Sequence, residues 1–365
     1  MMPFFSDLWG TPSAPHQKGQ ELYPALKAGY QSLYTLVGAK EEDTILFTSS
    51  GAEAVNHVIN SVYHEFTLET GKNQFITTAM EEAAILLGTR RLEHMHCVSK
   101  TVQPDENGII TPAAIAAMIS PRTALVSLSW ANGLTGVIQP VADIAALCHQ
   151  RGILLHLDAT HILGKLFYEI DDIGADFISF NGDQLHAPKG TGALYIRSGT
   201  RCSPFIVGGS EQGGLRAGSV NMPCLVGFGC AAKEALETRD YLCTEVARLR
   251  DKLERGVEAA VEGSFPFFRK QERLPHCTTI AFPGVANEAL LYLMNRKGLY
   301  ANIGGGSFQQ IGLLLHACGV DETLAHSAVS FSLSRYTTDD EIDRAIPIIS
   351  EAAAQLRKIS KGWIP

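Results

Sequence analysis

Short apolar runs alternate along the first two thirds of the chain with stretches in which apolar residues recur at helical spacing. The runs are rich in β-branched and aromatic residues, which favours strands. They are TILFT (44–48), FITT (75–78), ALVSLSW (124–130), ILLHLD (153–158), DFISF (176–180) and ALYIR (193–197). Between them, residues 52–66 and 113–119 have the spacing of amphipathic helices. The alternation predicts a mainly parallel sheet with helices on both faces.

One pair of runs departs from this scheme. Residues 176–180 and 193–197 lie too close together for a helical crossover. A parallel connection needs a dozen or more residues, usually a helix. One of these two strands is therefore expected to be antiparallel to its neighbours.

The pattern changes from about residue 225 onward. Apolar residues then recur at helical spacing at Leu242, Val246, Leu249, Leu253 and Val257. Beyond this predicted long helix lies a smaller α+β segment, with apolar runs at 278–282 and 328–333 and a closing helix after Thr338. A chain of 365 residues exceeds the ~250–300 residues at which single cores stop growing. We predict a large cofactor-type α/β domain over 1–245 and a small C-terminal α+β domain over 246–365.

Composition and charge argue against several classes of protein. A net charge of −8 without a basic stripe argues against a nucleic-acid partner. No apolar run approaches the ~18–20 residues of a membrane helix, and the first residues lack the pattern of a secretory signal. The eight cysteines include no C-x-x-C pair, which predicts reduced thiols rather than disulfides or a zinc site. We therefore expect a cytoplasmic protein with no membrane and no nucleic-acid partner.

Candidate chemistry follows the strands, because open α/β sheets bind ligands beyond the carboxyl ends of their strands. After the run 44–48 comes the turn SSGA, and the free N–H groups of a helix starting at Gly51 and Ala52 could hold a phosphate. A plain tight turn is the alternative. After another strand, the loop GGSEQGGLRAGSVN (208–221), with Arg216 and Ser219, is either a contact to a ligand or neighbouring chain, or a mobile surface loop.

The segment HLDATH places three polar side chains, His156, Asp158 and His161, at a strand end. Three interpretations stay open. The three residues could bind a metal ion. Asp158 could instead face a protonated heterocyclic nitrogen, as a carboxylate does for a pyridinium. Asp158 could also cap the following helix.

Seven segments, in this order, resemble one family of enzymes. They are GTPSAPHQKGQ, FTSSGAEAVN, ANGLTGVIQPV, HLDATHILGK, DFISFNGDQLHAPKGTGALYIR, GGLRAGSVNMP and GVDETLAHSAVSFSLSRYTTDDEID. Together, over roughly residues 9–345, they resemble the cysteine desulfurase branch of the class V aminotransferases, which depend on pyridoxal phosphate (PLP). The resemblance implies a fold type I PLP-transferase: a large domain with a mainly parallel seven-stranded sheet and a smaller C-terminal α+β domain. It also implies a homodimer, because the sites of this fold form between subunits.

The resemblance implies roles for several residues that hold the cofactor. Asp158 matches the acid that pairs with the pyridine nitrogen. His161 lies where the family has a glutamine beside the ring hydroxyl. Ser219 matches a hydroxyl that reaches the phosphate from the partner subunit. Gly51 and Ala52 match the phosphate turn, although Ala52 lacks the family's threonine hydroxyl.

The turn that carries the family's catalytic lysine is changed. The family's Ser-Gly-His-Lys is here Asn181-Gly182-Asp183-Gln184. Gln184 stands at the Schiff-base lysine, and a carboxamide nitrogen is not nucleophilic and cannot form an imine. Asp183 replaces a histidine near the phosphate. Like charges 4 Å apart repel by ~1 kcal/mol even in water, so Asp183 opposes a phosphate.

Four further positions depart from the family. Glu82 lies at the histidine that stacks on the ring, and Gly133 lies at an asparagine that holds the substrate. Ser330 lies at the arginine that clamps the substrate carboxylate, so a bidentate contact is lost. Ser307 best matches the mobile cysteine, and a serine hydroxyl cannot carry a persulfide.

These departures predict a desulfurase homologue that is not an active desulfurase and acts as a binding or regulatory protein. Its partner would be a sulfur-transfer protein or a paralogous desulfurase. Lys165 and Lys189 match non-catalytic family positions, so neither is expected to replace the missing lysine.

An enzyme is the alternative prediction. It would bind PLP or pyridoxamine phosphate non-covalently and act on an amino-acid or sugar-like substrate. The supporting residues would be Gly51, Ala52, Asp158, His161, Asn181, Gln184 and Ser219. A protein with no cofactor at all also stays open.

Overall fold

Seven strands form the central sheet of the computed structural model, which describes residues 1–305 and 309–361. These strands are β1 (Thr44–Thr48), β2 (Gln74–Thr78), β3 (Val98–Val102), β4 (Thr123–Ser129), β5 (Leu154–Asp158), β6 (Phe177–Asn181) and β7 (Gly192–Ile196). Their order across the sheet is β1-β7-β6-β5-β4-β2-β3. Strand β7 pairs antiparallel with β1 and β6, and the remaining pairs are parallel. The mainly parallel sheet with one reversed strand is confirmed.

The one strand that the apolar pattern did not predict is β3. It lies at the edge of the sheet, and of its five residues only Val102 is buried. An edge strand that is half exposed has no continuous apolar run, so the signal that located the other six strands is missing here.

Helices connect the strands and cover the sheet. They are α1 (Pro3–Ser6), α2 (Gln17–Gln20), α3 (Tyr23–Val37), α4 (Gly51–Val62), α5 (Leu68–Thr70), α6 (Ala83–Arg91), α7 (Pro112–Met118), α8 (Val141–Arg151), α9 (Ile170–Ile173), α10 (Met222–Glu237), α11 (Arg239–Tyr241), α12 (Ala247–Ala260), α13 (Asn287–Arg296), α14 (Ile311–Ala317), α15 (Glu322–Ala325) and α16 (Asp339–Lys361). Short 3₁₀ turns span Leu92–Met95, Asp183–Leu185 and Glu211–Gly214, and π-helical turns span Tyr63–Thr67 and Leu242–Val246.

Both faces of the sheet are buried, as the apolar runs predicted. Side chains alternate along a strand, so Ile45 and Phe47 of β1 lie in one core, which also contains Leu33 of α3. Leu46 of β1 lies in a second core, which also contains Val55 of α4. The α/β fold class is therefore confirmed.

The C-terminal part has its own apolar cluster. A three-stranded antiparallel sheet in the order β12-β9-β8 is formed by β8 (Phe265–Pro266), β9 (Cys277–Ala281) and β12 (Ala328–Ser332), and a small hairpin by β10 (Gly304–Gly305) and β11 (Gln309–Gln310). Leu249, Leu253 and Val257 of α12 share a core with residues of α13, β12 and α16. The predicted long helix is thus present, with a π-helical turn ahead of α12. The boundary between domains 1–245 and 246–365 stays a prediction.

The closing helix α16 begins directly after Thr338, as predicted, and a capping box forms its start. Thr338 Oγ1 accepts a hydrogen bond from the Glu341 N–H at 3.3 Å, and Glu341 Oε2 accepts one from the Thr338 N–H at 2.9 Å. Within residues 1–305 and 309–361, no helix has both the length and the apolar character needed to cross a bilayer.

Candidate functional site

Most of the predicted site residues line one cavity of about 820 Å³. Those that line it are Gly51, Ala52, Asp158, His161, Asn181 and Gln184. The cavity lies where β5 and β6 end and α4 begins, which is where this class of sheet binds ligands. Ser219 does not line it, since this residue is exposed on the loop before α10. Ser307 lies outside the described residues.

The start of α4 is closed by side chains of this same chain. The first N–H groups of a helix have no acceptor within the helix. Here Asn181 Oδ1 accepts the hydrogen bond of the Gly51 N–H at 3.2 Å. Asn181 Nδ2 in turn donates to Asp183 Oδ1 at 2.7 Å. One N–H group of the predicted phosphate turn, that of Gly51, is therefore already bonded to an amide that itself contacts a carboxylate.

The 3₁₀ turn after β6 presents Gln184 to the cavity. Its side chain is exposed and forms no hydrogen bond with any other residue of 1–305 or 309–361. Lys189 Nζ lies 3.5 Å from Asp183 Oδ2, but the lysine side chain is 90% exposed, so solvent weakens this pair. Arg335 Nη2 donates to the Leu185 carbonyl at 3.4 Å, which ties the turn to the segment after β12.

Asp158 ends β5 with its carboxyl in the cavity wall. Its Oδ1 accepts a hydrogen bond from the Thr160 N–H at 2.9 Å, and the Thr160 side chain also hydrogen-bonds the carboxyl. The residue is only 6% exposed. Burial raises the pKa of Asp158, Thr160 lowers it by hydrogen bonding, and the charge of Glu82 raises it further. Asp158 caps a local turn rather than a helix, so the helix-cap interpretation is wrong.

The metal interpretation of HLDATH has no support. His156 Nδ1 is 2.8 Å from Ser127 Oγ and its Nε2 is 3.0 Å from Ser179 Oγ, so both ring nitrogens already have partners. The ring is fully buried, and burial lowers the pKa of His156 to about 3. No group of three histidine, cysteine or acidic residues suited to a metal ion occurs in the portion of the chain that is described.

His161, Glu82 and Gly133 form one arrangement. His161 Nε2 lies 3.5 Å from Glu82 Oε1. A Cβ on residue 133 would lie 2.3 Å from the Cε1 and Nε2 atoms of His161, far inside any real contact distance. A side chain at residue 133 would therefore require the imidazole to move. Three positions that the sequence presented as separate departures are neighbours in the structure.

Ser330 is not available as a substitute clamp. It is fully buried in β12, and its Oγ donates to the Leu134 carbonyl at 2.7 Å.

The structure also brings Lys165 to the cavity. The Nζ of Lys165 is buried without a hydrogen-bond partner in the described residues, and burial lowers its pKa to about 8.

Two lining residues were missed by sequence reasoning. His276, just before β9, has a buried Nδ1 without a partner among the residues described. Arg335 lies just after β12 and donates to Glu234 Oε1 at 3.1 Å. His276 directly precedes β9, and Arg335 lies just after β12. Position at a strand end was therefore the only sequence signal that could have identified them. Nothing in the sequence indicates that these ends face the large sheet.

Comparisons with known proteins agree with this geometry. A family model described as aminotransferase class-V matches residues 1–345. The cysteine desulfurase NifS of Azotobacter vinelandii is 37% identical over 367 residues, covering 100% of this chain and 90% of that protein. A cysteine desulfurase of Gluconacetobacter diazotrophicus is 36% identical over 372 residues, covering 100% and 91%. A solved structure of a NifS-like protein has a TM-score of 0.90 at 29% identity, covering 97% of this chain and 94% of that one. The expected fold is confirmed.

The coupling between residues 133 and 161 can be measured. Gly133→Asn is expected to lower the free energy of unfolding by about 1–3 kcal/mol, because the new side chain meets the imidazole. In a His161→Ala background the same change should cost less, with a coupling energy of about 0.5–3 kcal/mol. Urea unfolding of the four proteins gives both values. Gly305→Asn is the control, since a Cβ there meets no atom of residues 1–305 or 309–361 within 4 Å. Additive effects at 133 and 161 would contradict the arrangement.

The buried amine of Lys165 predicts a pH dependence of stability. Below pH about 8 the folded state holds an unpaired buried ammonium, which the unfolded state solvates. Between about 8 and the ordinary lysine value of 10.5 only the unfolded state keeps the proton, so stability rises with pH. Lys165→Met should remove this rise and add about 1–3 kcal/mol to the free energy of unfolding at pH 7. Denaturant unfolding across pH measures both effects.

The matched control for this experiment is Lys189→Met. That lysine side chain is 90% exposed, so its removal should leave the slope of stability against pH unchanged. The same slope in Lys165→Met and in the native chain would show that Lys165 is not the group responsible.

Proposed function

This chain belongs to the class V aminotransferase family, and from that premise we propose that it is a cysteine desulfurase homologue without desulfurase activity, which acts as a binding or regulatory protein. One observation carries the proposal. The tip of the turn after β6 presents Gln184, not an amine, to the cavity. A carboxamide nitrogen is not nucleophilic, so Gln184 cannot form an imine with the aldehyde of PLP.

The residues of the cavity do not fit PLP in the form that this PLP-dependent family uses. Asp158, a carboxyl in the cavity wall, fits the ring nitrogen. The phosphate has no comparable place, because the Gly51 N–H is already bonded to Asn181 and the Asp183 carboxylate lies beside it. Gln184 offers no covalent anchor. The cavity residues therefore fit the pyridine ring of PLP better than its phosphate or its aldehyde.

The groups needed to handle cysteine sulfur are also missing. No cysteine is among the described residues that line the cavity. Cys277 is buried beside it, with its thiol donating to the Leu134 carbonyl at 3.1 Å, and burial raises its pKa to about 11. A protonated, buried thiol is a poor nucleophile. Ser330, which is hydrogen-bonded to the same carbonyl, cannot clamp a carboxylate.

An ordered fold with a closed phosphate site suits a protein that binds partners. We propose that the chain forms a homodimer in the cytoplasm and contacts a sulfur-transfer protein or a paralogous desulfurase. Several large apolar side chains are more than half exposed and could be covered by a partner, among them Phe5, Trp9 and Val207.

The second candidate is an enzyme that binds PLP or pyridoxamine phosphate without a covalent bond. The carboxyl of Asp158 in the cavity wall and the exposed amide of Gln184 favour it. Asp183 opposes it, because a phosphate would have to displace Asn181 and lie next to a carboxylate. The binding function therefore has the stronger support.

The test is an assay of the purified chain with PLP and L-cysteine. We expect no alanine and no sulfide above a protein-free control that contains the same PLP. Gln184→Lys combined with Asp183→His is the matched variant, because it supplies an amine and removes the carboxylate. That variant should retain PLP through desalting, seen as visible absorbance, whereas the native chain should not. Stoichiometric alanine and sulfide from the native chain would overturn the proposal.

A further inference from the structure

We propose that one end of the cavity binds a small monocarboxylate with an apolar body, through the charge of Lys165 and the imidazole of His276. This part of the cavity is called the carboxylate end below. It is lined by Lys165, Leu185, Leu242, His276, Leu333 and Arg335. The inference goes beyond the proposed function, because the loss of desulfurase activity does not by itself require a site for an anion.

Two polar side chains at the carboxylate end are buried without partners. Lys165 is 6% exposed and His276 is 7% exposed. The Lys165 Nζ and the His276 Nδ1 have no hydrogen-bond partner among the described residues. Buried polar groups are normally hydrogen-bonded, and an unpaired buried charge is costly. Two such groups in one cavity wall indicate a ligand that accepts hydrogen bonds and carries negative charge.

Backbone and side-chain contacts place His276 and Arg335 at this end of the cavity. The Leu333 N–H donates to the His276 carbonyl at 2.8 Å, so His276 lies beside the end of β12. Arg335, two residues after Leu333, donates from Nη2 to the Leu185 carbonyl at 3.4 Å. The end of the C-terminal sheet is therefore held against the turn after β6.

Lys165 lies next to the same turn. A Cβ on Gly164, the residue before it, would lie 3.0 Å from Leu185 Cδ2. Burial lowers the pKa of Lys165, and the charge of Arg335 lowers it further. Burial also holds the pKa of His276 well below its usual range, and the Lys165 amine adds to this effect. The three nitrogen-bearing side chains thus act on one another electrostatically.

One positive charge at the carboxylate end lacks a bonded counter-charge. With a pKa of about 8, the Lys165 amine is mostly protonated at pH 7. Asp183 acts on it through space, without a hydrogen bond. The Arg335 Nε, in contrast, donates to Glu234 Oε1 at 3.1 Å, and His276 is neutral. A single negative charge therefore balances the site, and the two oxygens of a carboxylate match the ammonium and the imidazole.

Apolar side chains form the rest of this end. Leu185, Leu242 and Leu333 line it, and each is less than one tenth exposed. They favour a ligand whose carboxylate is attached to an apolar group. The cavity of about 820 Å³ lies within the roughly 300–1,000 Å³ of small-molecule sites. Benzoate, a single ring with one carboxylate, is therefore a suitable probe.

The carboxylate end uses residues other than those matched to the family's cofactor and substrate. The ring of PLP was assigned to Asp158 and His161, which belong to the segment directly after β5. The substrate carboxylate was assigned to position 330, where Ser330 Oγ donates to the Leu134 carbonyl at 2.7 Å. Neither assignment includes Lys165 or His276. The proposed anion site is thus a separate feature of this chain.

The test compares benzoate with its neutral isostere benzamide by isothermal titration calorimetry on the purified full chain. We expect benzoate to bind at least about tenfold more tightly. Lys165→Met should weaken benzoate binding at least about tenfold and change benzamide binding by less than about threefold. His276→Leu should weaken benzoate binding about threefold to tenfold, because one hydrogen bond is lost.

Lys189→Met is the matched control, since it makes the same chemical change at a lysine whose side chain is 90% exposed and does not line the cavity. Its benzoate affinity should stay within about twofold of that of the native chain. Melting curves establish that each variant is folded before titration. Lys165→Met is expected to be at least as stable as the native chain, so a loss of binding would not reflect a loss of fold.

Three outcomes would overturn the inference. They are no measurable binding of benzoate, equal affinities for benzoate and benzamide, and an unchanged benzoate affinity in Lys165→Met. If Lys165→Met does not fold, an unchanged benzoate affinity in His276→Leu has the same meaning. None of these outcomes affects the proposed function, which alanine and sulfide production from cysteine would overturn whether or not benzoate binds.

Discussion

The hydrogen bond between the Gly51 N–H and Asn181 Oδ1 determines what the cavity can hold. It joins the start of α4 to the turn after β6, the two elements that would otherwise present free donors to an anion. Because Asn181 also holds Asp183 in place, one amide both fills the anion site and positions a carboxylate against it. The ring end of the cavity, built around Asp158, does not depend on this contact.

Three of the positions that depart from the family lie together in the structure. The imidazole of His161 lies against residue 133, a glycine, and its Nε2 is 3.5 Å from Glu82 Oε1. A change at any one of the three positions is therefore expected to affect the other two.

Six strands and the fold class could be predicted from the sequence, because strands buried on both faces have uninterrupted apolar runs. Asp158 and Asn181 could be placed together, since β5 and β6 are parallel neighbours that end at the same edge. Lys165 and His276 could not be assigned to the cavity, because their positions in its wall depend on how the C-terminal segment packs over the sheet. The Gly51–Asn181 contact could not be predicted either, because it joins residues 130 positions apart. Ser219 lies away from the cavity of its own chain, so its predicted role depends on a partner subunit.

The most direct measurement is reductive trapping. The purified chain is incubated with PLP, treated with borohydride, and digested for mass spectrometry of every lysine-containing peptide. Because Gln184 replaces the amine and Asn181 closes the phosphate site, the account predicts that no lysine acquires a pyridoxyl group in stoichiometric amount. One pyridoxyl group per chain on a single lysine, above all on Lys165 in the cavity wall, would contradict it.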